Sequence, residues 1–276
     1  MASDDPQNMV WAPYNANPQY THDAGMTWQP ALYNGAPLPA SWQLSNQWWA
    51  ADVLAPDLVA PGTFYYFDNG SFYYSTNGGA TWTLGNTTWP QDPSWVLNVS
   101  IVPNPVKAGD VWMAFAPNSN QPWTYQLLHS TDGGKTFSPI STLASANYVA
   151  FGKGATATTP FLYVHGQIPS ATADAIYKSE DMGATWVQIS DPTRMQFGLI
   201  NDLEGDMRTQ DLVYVGNGGR GIFYGYGQAS GIMQPSLRRV QRGSDPASGN
   251  MLNPPTGKTP ISEVSTWQRN SLGKPR

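Results

Sequence analysis

Six carboxylates in this 276-residue chain stand where they could move a proton: Asp52, Asp68, Asp174, Asp202, Glu204 and Asp206. Two such groups held in different surroundings can divide into a general acid and a general base. Each also has a plainer reading, since Asp52 suits the capping of a strand end and Glu204 with Asp206 reads as a solvated Glu-Gly-Asp loop. Other chemistries find little support. Cysteine is absent, which excludes disulfides, thiolate nucleophiles and Cys-ligated zinc. The histidines His22, His129 and His165 are more than thirty residues apart, so neither a metal nor any other cofactor is expected. The glycines of GNGGRG (216–221) read as a strand-linking turn because no helical pattern follows them. Arg194, Arg208 and Arg220 match in number the arginine triad that an exo-sialidase aims at a carboxylate, but they fall within 27 residues of one another.

The aromatic residues are the other candidates. Trp28, Trp82 and Trp186 recur in a repeated motif, and Trp11 and Trp112 lie within strands, where packing explains them. Trp42, Trp48, Trp49, Trp89, Trp95 and Trp123 fall in loops or at strand starts. A flat indole there can stack on the apolar face of a sugar ring, and Trp48 and Trp49 lead that set. The competing reading is that several of the six fill gaps between sheets.

The elements that must position these groups are legible from a repeat. THDAGMTW (21–28), STNGGATW (75–82), STDGGKTF (130–137) and SEDMGATW (179–186) align without gaps, and their Asp23, Asn77, Asp132 and Asp181 are 54, 55 and 49 residues apart. An Asx side chain accepts hydrogen bonds from backbone amides ahead of it, and the following Gly supplies a positive φ, so each segment predicts a compact hairpin turn. The four Asx residues are therefore read as structural, with Asn77 keeping the acceptor oxygen.

Before each of these boxes a strand follows a polar Pro/Gly turn, and taking Val10, Phe64, Val111, Leu162 and Val213 as equivalent gives steps of 54, 47, 51 and 51. Upstream lies a further apolar strand, as in WWAADVL, WVLNVSI, NYVAFGK and FGLINDL. The pattern predicts an all-β fold, a β-propeller of four-stranded Asp-box blades, with about four to five blades over residues 1–227. Composition agrees: 12% charged residues with 27 Gly and 24 Pro suit short strands and tight turns. The first copy begins at its second strand, so the arc is expected to be part of a larger ring, with a self-closed propeller as the alternative.

Residues 1–227 carry a net charge of −10 and residues 228–276 a net of +5. The acidic body argues against a nucleic-acid partner, and the basic, Pro/Gly-rich segment 228–276 reads as a disordered tail. No stretch is apolar for long enough to predict a membrane span or a signal peptide.

The blocks ADVLAPDLVAPGTFYYFDNGSFYYSTNGGATW and GDMRTQDLVYVGNGGRGIFYG resemble the second propeller of glycoside hydrolase family 74, and the likeness runs over residues 6–225. That resemblance implies two seven-bladed propellers clasping a groove, and an extracellular enzyme that cleaves β-1,4-glucan such as xyloglucan with inversion, one aspartate acting as acid and another as base. The segments matching the family's two catalytic aspartates are not found, so no catalytic residue is assigned. The expected partners are a polysaccharide or oligosaccharide and, for a truncated chain, the missing N-terminal propeller. A non-catalytic Asp-box propeller used as a binding or assembly platform is the remaining alternative.

Overall fold

The structure is a computed structural model that describes residues 5–13, 16–39, 52–68, 70–89, 98–116, 127–190, 200–218, 221–227 and 238–239. Two compact units divide at Val240 and Gln241; the second, Gln241–Arg276, lies outside the described residues. The first unit is all strand, with no helix among the described residues. Its sheets are antiparallel blades in chain order.

Blade 1 is β1 (Met9–Trp11), β2 (Gln19–Thr21) and β3 (Gln29–Pro30). Blade 2 is β6 (Leu54–Pro56), β7 (Phe64–Asp68), β8 (Ser71–Ser75) and β9 (Thr81–Leu84). The short strands β4 (Leu32–Tyr33) and β5 (Ala36–Pro37) extend its outer edge, β4 lying parallel to β9. Blade 3 is β10 (Asn98–Pro103), β11 (Val111–Ala116), β12 (Leu127–Ser130) and β13 (Ser138–Pro139). Blade 4 is β14 (Ser145–Thr156), β15 (Thr159–Gln167), β16 (Ala175–Ser179) and β17 (Val187–Gln188). Blade 5 is β18 (Ile200–Gly205), β19 (Leu212–Asn217), β20 (Gly221–Tyr226) and β21 (Arg238–Arg239), so two residues of the segment read as a tail pair with β20.

Alternation along each second strand sets how blades stack, because successive side chains point to opposite faces. Phe64, Val111 and Leu162 pair with the first residue of each box, Ser75, Ser130 and Ser179. In blade 1 the residue paired with Thr21 is Met9, so the equivalent position is Met9, one residue before the expected Val10. Side chains in phase with Phe64 face the preceding blade; those one residue on, Val10, Tyr65, Trp112 and Tyr163, face the following blade. The resulting apolar layers are blade-to-blade: one holds Trp112, Leu162 and Val164, and another holds Tyr163, Val213 and Val215.

Each box also serves this packing. Gly79, Gly134 and Gly183 adopt φ of +88°, +83° and +86°, a region that costs other residues strain. A Cβ on Gly134 would lie 2.0 Å from Cε1 of Phe72 in blade 2. Glycine is thus required twice over, for the turn and for the close approach of the previous blade.

Candidate functional site

The four boxes share one hydrogen-bond scheme. Oδ1 of Asp23, Asn77, Asp132 and Asp181 accepts from the backbone N–H of Thr27, Thr81, Thr136 and Thr185 at 2.8–3.0 Å. The Thr hydroxyl donates to Oδ2 of the three aspartates, at 2.6 Å in Asp23 and Asp181 and 2.7 Å in Asp132. In the second box the direction reverses, and Asn77 Nδ2 donates to Thr81 Oγ1 at 2.8 Å. Ser or Thr at the start of each box accepts from the glycine N–H four residues on, as Ser179 Oγ does from Gly183 at 2.8 Å. Hydroxyls of Thr21 and Thr27 hold the Asp23 carboxyl down at about 2. Burial pushes Asp132 and Asp181 upward, but hydrogen bonds led by those from Thr136 and Thr185 outweigh it and leave both lowered.

A second Asx turn joins the first two strands of several blades. Asp57 Oδ1 accepts from Val59 and Ala60 N–H, both at 2.9 Å, and Asp206 Oδ1 accepts from Arg208 and Thr209 N–H, both at 2.7 Å. Asn104 does the same for Val106 at 3.1 Å. These turns abut the boxes, since Gly78 N–H donates to Gly62 O and Gly133 N–H to Gly109 O. One face of the propeller is therefore built of turns whose acids are spoken for, Asp206 among them. Sequence displays the turn only as a polar Pro/Gly stretch.

The hairpins from second to third strand in blades 2 and 4 emerge on the opposite face. Trp42, Trp48 and Trp49 belong to the connection preceding β6, Trp95 to the one preceding β10, and Trp123 to the one between β11 and β12; all five lie outside the described residues. Trp89 is described and half-buried. Its indole N–H donates to Gly70 O at 2.6 Å, and its ring lies 5.5 Å from Phe67 and 5.5 Å from Phe137, bridging blades 2 and 3.

Carboxylates gather along the innermost strands. Asp52 is in the stretch leading into β6, where its carbonyl accepts from Ile101 N–H of β10. Asp202 and Glu204 stand on β18, so the expected loop is a strand as far as Gly205 and only Asp206 is in a turn. Burial, then the charges of Asp202 and Asp52, push Glu204 up to about 7. Burial and Asp202 raise Asp52, and burial raises Asp202. The Asp202 charge acts on Asp52 and Glu204, and the Asp52 charge on Glu204, a coupling of blades 2 and 5 that chain positions 52, 202 and 204 alone give no reason to expect. Asp68 ends β7, buried in a hairpin opposite Ser71. Among the described residues no group of three or more His, Cys, Asp or Glu could hold a metal ion.

A second polar cluster sits at the opposite-face end of blade 4. A bulge between Ala146 and Tyr148 leaves Asn147 as the extra residue of β14, and such bulges re-aim a side chain. Asn147 Nδ2 donates to Asp174 Oδ2 at 3.0 Å and approaches His165 Nδ1 at 3.4 Å, while Gln167 Nε2 donates to Asp174 Oδ1 at 2.8 Å. Burial lowers the His165 imidazole, against the pull of Asp174. Ser145 Oγ and Asn147 Oδ1 are buried with no hydrogen-bond partner. The other histidines are tied to turns and packing: His22 Nε2 meets Gly78 O at 3.2 Å, and His129 Nε2 meets Asp110 Oδ1 at 3.1 Å while stacking on Trp112. Of the three arginines only Arg208 is described, in the Asp206 turn, and Arg194 and Arg220 lie outside the described residues.

Comparison with known proteins gives these blades a context. The BNR/Asp-box repeat family matches residues 19–30 and 73–84. A xyloglucanase of Acetivibrio thermocellus is 34% identical over 87% of this chain and 25% of its own length. One from a Paenibacillus species is 29% identical over 96% of this chain and 22% of its own length. The solved glycoside hydrolase family 74 xyloglucanase of Xanthomonas campestris superposes with a TM-score of 0.59 at 27% identity, covering 79% of this chain and 28% of that one. The family 74 enzyme of Niastella koreensis, 23% identical, matches in fold with a TM-score of 0.55 over 83% of this chain and 37% of that one. The chain spans about a quarter of the length of the xyloglucanases it matches.

Proposed function

We propose that this chain, which is related to glycoside hydrolase family 74 along most of its length, forms part of the β-glucan-binding surface of a xyloglucan-cleaving enzyme. The observation that carries the reading is the 34% identity to a xyloglucanase over 240 residues, which extends well beyond the boxes into the blades between them. The face opposite the boxes is the binding face. The aromatic candidates are Trp42, Trp48, Trp49, Trp95 and Trp123, named from the sequence alone, and the Asn147–His165–Asp174 cluster offers hydroxyl-recognising groups on that face. Aromatic faces beside placed polar groups are the usual means of holding pyranose rings.

In the reaction of such an enzyme one carboxylic acid protonates the leaving oxygen and a second carboxylate activates water. Neither aspartate is assigned to residues 1–276, so these residues bind and other parts of the enzyme cleave. An extracellular site of action fits a polysaccharide substrate.

Isothermal titration calorimetry with a xyloglucan oligosaccharide is expected to register binding, with no reducing-sugar release by the same sample. Absence of heat with xyloglucan, cellulose and mixed-linkage glucan alike would sink the proposal. Turnover above background would instead move the chemistry into this chain, with Glu204 the first residue to replace.

A further inference from the structure

Four Asn-Gly steps occur in the chain, at 34–35, 69–70, 77–78 and 217–218. Such a step is open to a reaction of its own, because a glycine without Cβ leaves its amide nitrogen unhindered. When the asparagine side chain swings onto that nitrogen, the backbone can displace ammonia from it. The fold decides which steps are free to react, and two of the four stand in contrast.

Asn77–Gly78 belongs to the second box and is locked. Asn77 Oδ1 accepts from Thr81 N–H and from Ser75 Oγ, both at 3.0 Å, and its Nδ2 donates to Thr81 Oγ1 at 2.8 Å. The Gly78 N–H, which would have to attack, donates to Gly62 O at 2.8 Å. Asn34–Gly35 is the reverse case. These residues are the two-residue loop between β4 and β5, with Tyr33 paired to Ala36 and φ of +50° and +79° in the loop, as a type I′ turn requires. The bond that closes such a turn runs to the Ala36 N–H, so the Gly35 N–H has no part in it. Both loop residues are exposed, and a Cβ on Gly35 would meet nothing within 4 Å. Strand β5 is the outermost of its sheet and only two residues long, so local opening of this hairpin costs little.

The hairpin also fastens two blades. Strand β4 leaves blade 1 and pairs with β9 of blade 2, where Leu32 N–H donates to Ala80 O at 3.0 Å and Tyr33 packs edge-on against Tyr73 at 5.2 Å. Leu38, just beyond β5, is fully buried.

We infer that Asn34–Gly35 is a self-modification site, at which the chain deamidates and loosens the strap between blades 1 and 2. Hydroxide takes the proton from Gly35 N, the nitrogen attacks Cγ of Asn34, and the Cγ–Nδ2 bond breaks with release of ammonia. Water then opens the succinimide ring at either carbonyl, leaving aspartate or isoaspartate, with no change of oxidation state. Isoaspartate carries the main chain through an extra methylene, which a two-residue loop absorbs only by shifting the pairing of Tyr33 with Ala36.

The test incubates the full chain in mildly alkaline buffer, with the same chain in urea as the unprotected reference. Peptide mapping by mass spectrometry follows each amide, and labelling by isoaspartyl methyltransferase detects isoaspartate. In the folded chain Asn34 should convert at least about tenfold faster than Asn77, whereas in urea the two should differ little. Aged wild-type chain should unfold at a lower temperature than fresh chain. Asn34→Gln, which closes a six-membered ring far more slowly, should age without that loss. Asn34→Asp adds the charge without lengthening the main chain and should keep the midpoint of fresh wild type. Three results would overturn the inference: Asn34 and Asn77 converting at the same rate in the folded chain, Asn34 keeping its amide there while it reacts in urea, or an aged Asn34→Gln chain that loses as much stability as wild type.

Discussion

Each Asp box satisfies its Asx side chain within eight residues, whereas the opposite-face end of blade 4 leaves Ser145 Oγ and Asn147 Oδ1 buried and unpaired. Both ends use the same residue types: Ser, Asx and backbone amides on short strands. The difference is in what the hydrogen bonds reach. In a box the acceptor meets N–H groups two to four residues ahead, so the turn is complete once the chain folds locally. At the other end Asn147 reaches across 27 residues to Asp174 and still has one oxygen unused. Leaving such a buried group unpaired costs about 1–3 kcal/mol, so this end of blade 4 gives up stability that the boxes keep.

The largest effect is expected on the scaffold side. Gly134→Ala would place a methyl 2.0 Å from Phe72 Cε1 at a residue whose φ is +83°. Backbone strain and overpacking together predict a loss of about 3 kcal/mol or more. Denaturant unfolding checks this directly. Gly133→Ala, with a φ of +74° but nothing within 4 Å of the added Cβ, should lose only the strain part. Equal losses in the two variants would show that blade contact at the box contributes nothing.

A matched pair of serines sharpens the contrast further, because the predicted signs differ. Ser179 Oγ accepts from Gly183 N–H at 2.8 Å and donates to Asp181 Oδ1 at 2.8 Å. Ser179→Ala orphans the Gly183 N–H and removes one of the bonds to Asp181 Oδ1, and should destabilise by about 1–2 kcal/mol. Ser145 is equally buried and its hydroxyl has no partner, so Ser145→Ala should be neutral or stabilise by up to about 1 kcal/mol. If Ser145 serves a bound glucan, the same substitution should weaken xyloglucan binding measured by calorimetry, while Ser179→Ala leaves binding unchanged. Destabilisation by both serine variants would remove the distinction between the two ends.

How much of this is legible in the sequence follows the same division. The boxes are local, so Asp23, Asn77, Asp132 and Asp181 and their glycines reveal both turn and period, and the blades between them follow. Packing is less local. Trp11 and Trp112 look alike as strand tryptophans, yet Trp112 is fully buried and Trp11 is 53% exposed, because what covers each depends on the neighbouring blade. The coupling of Asp52 with Asp202 and Glu204 is invisible in the chain, since Asp52 stands 150 or more positions from the other two, on a different blade. His165 and Asn147 carry a faint signal at most, a polar pair inside otherwise apolar strands. Their meeting depends on a bulge that no residue pattern announces.

The smallest expected effect is electrostatic, and it sets the two groups of acids against each other across pH. Box carboxylates are lowered, Asp23 to about 2 from 3.8, so their stabilisation is present above the unfolded value near 3.8 and lost as pH falls through about 2. Glu204 behaves in the opposite sense. Its value is raised from 4.5 to about 7 by burial and by Asp202 and Asp52, so the folded state favours its protonated form. Stability from that group is complete below pH 4.5 and declines as pH rises through about 7. Solvent still reaches the Glu204 side chain, which keeps the effect modest. Thermal unfolding followed from pH 4 to 8 should therefore show a small decline in wild type, on the order of a few degrees. Glu204→Gln should flatten that decline by holding the site neutral at every pH, while leaving the fall below pH 3 unchanged because the boxes cause it. Conversely, Asp23→Asn should soften the acid limb, since Asn77 shows that the turn accepts an amide, and should not alter the neutral one. A decline between pH 4 and 8 that persists undiminished in Glu204→Gln would mean that the inner acids do not sense one another in solution.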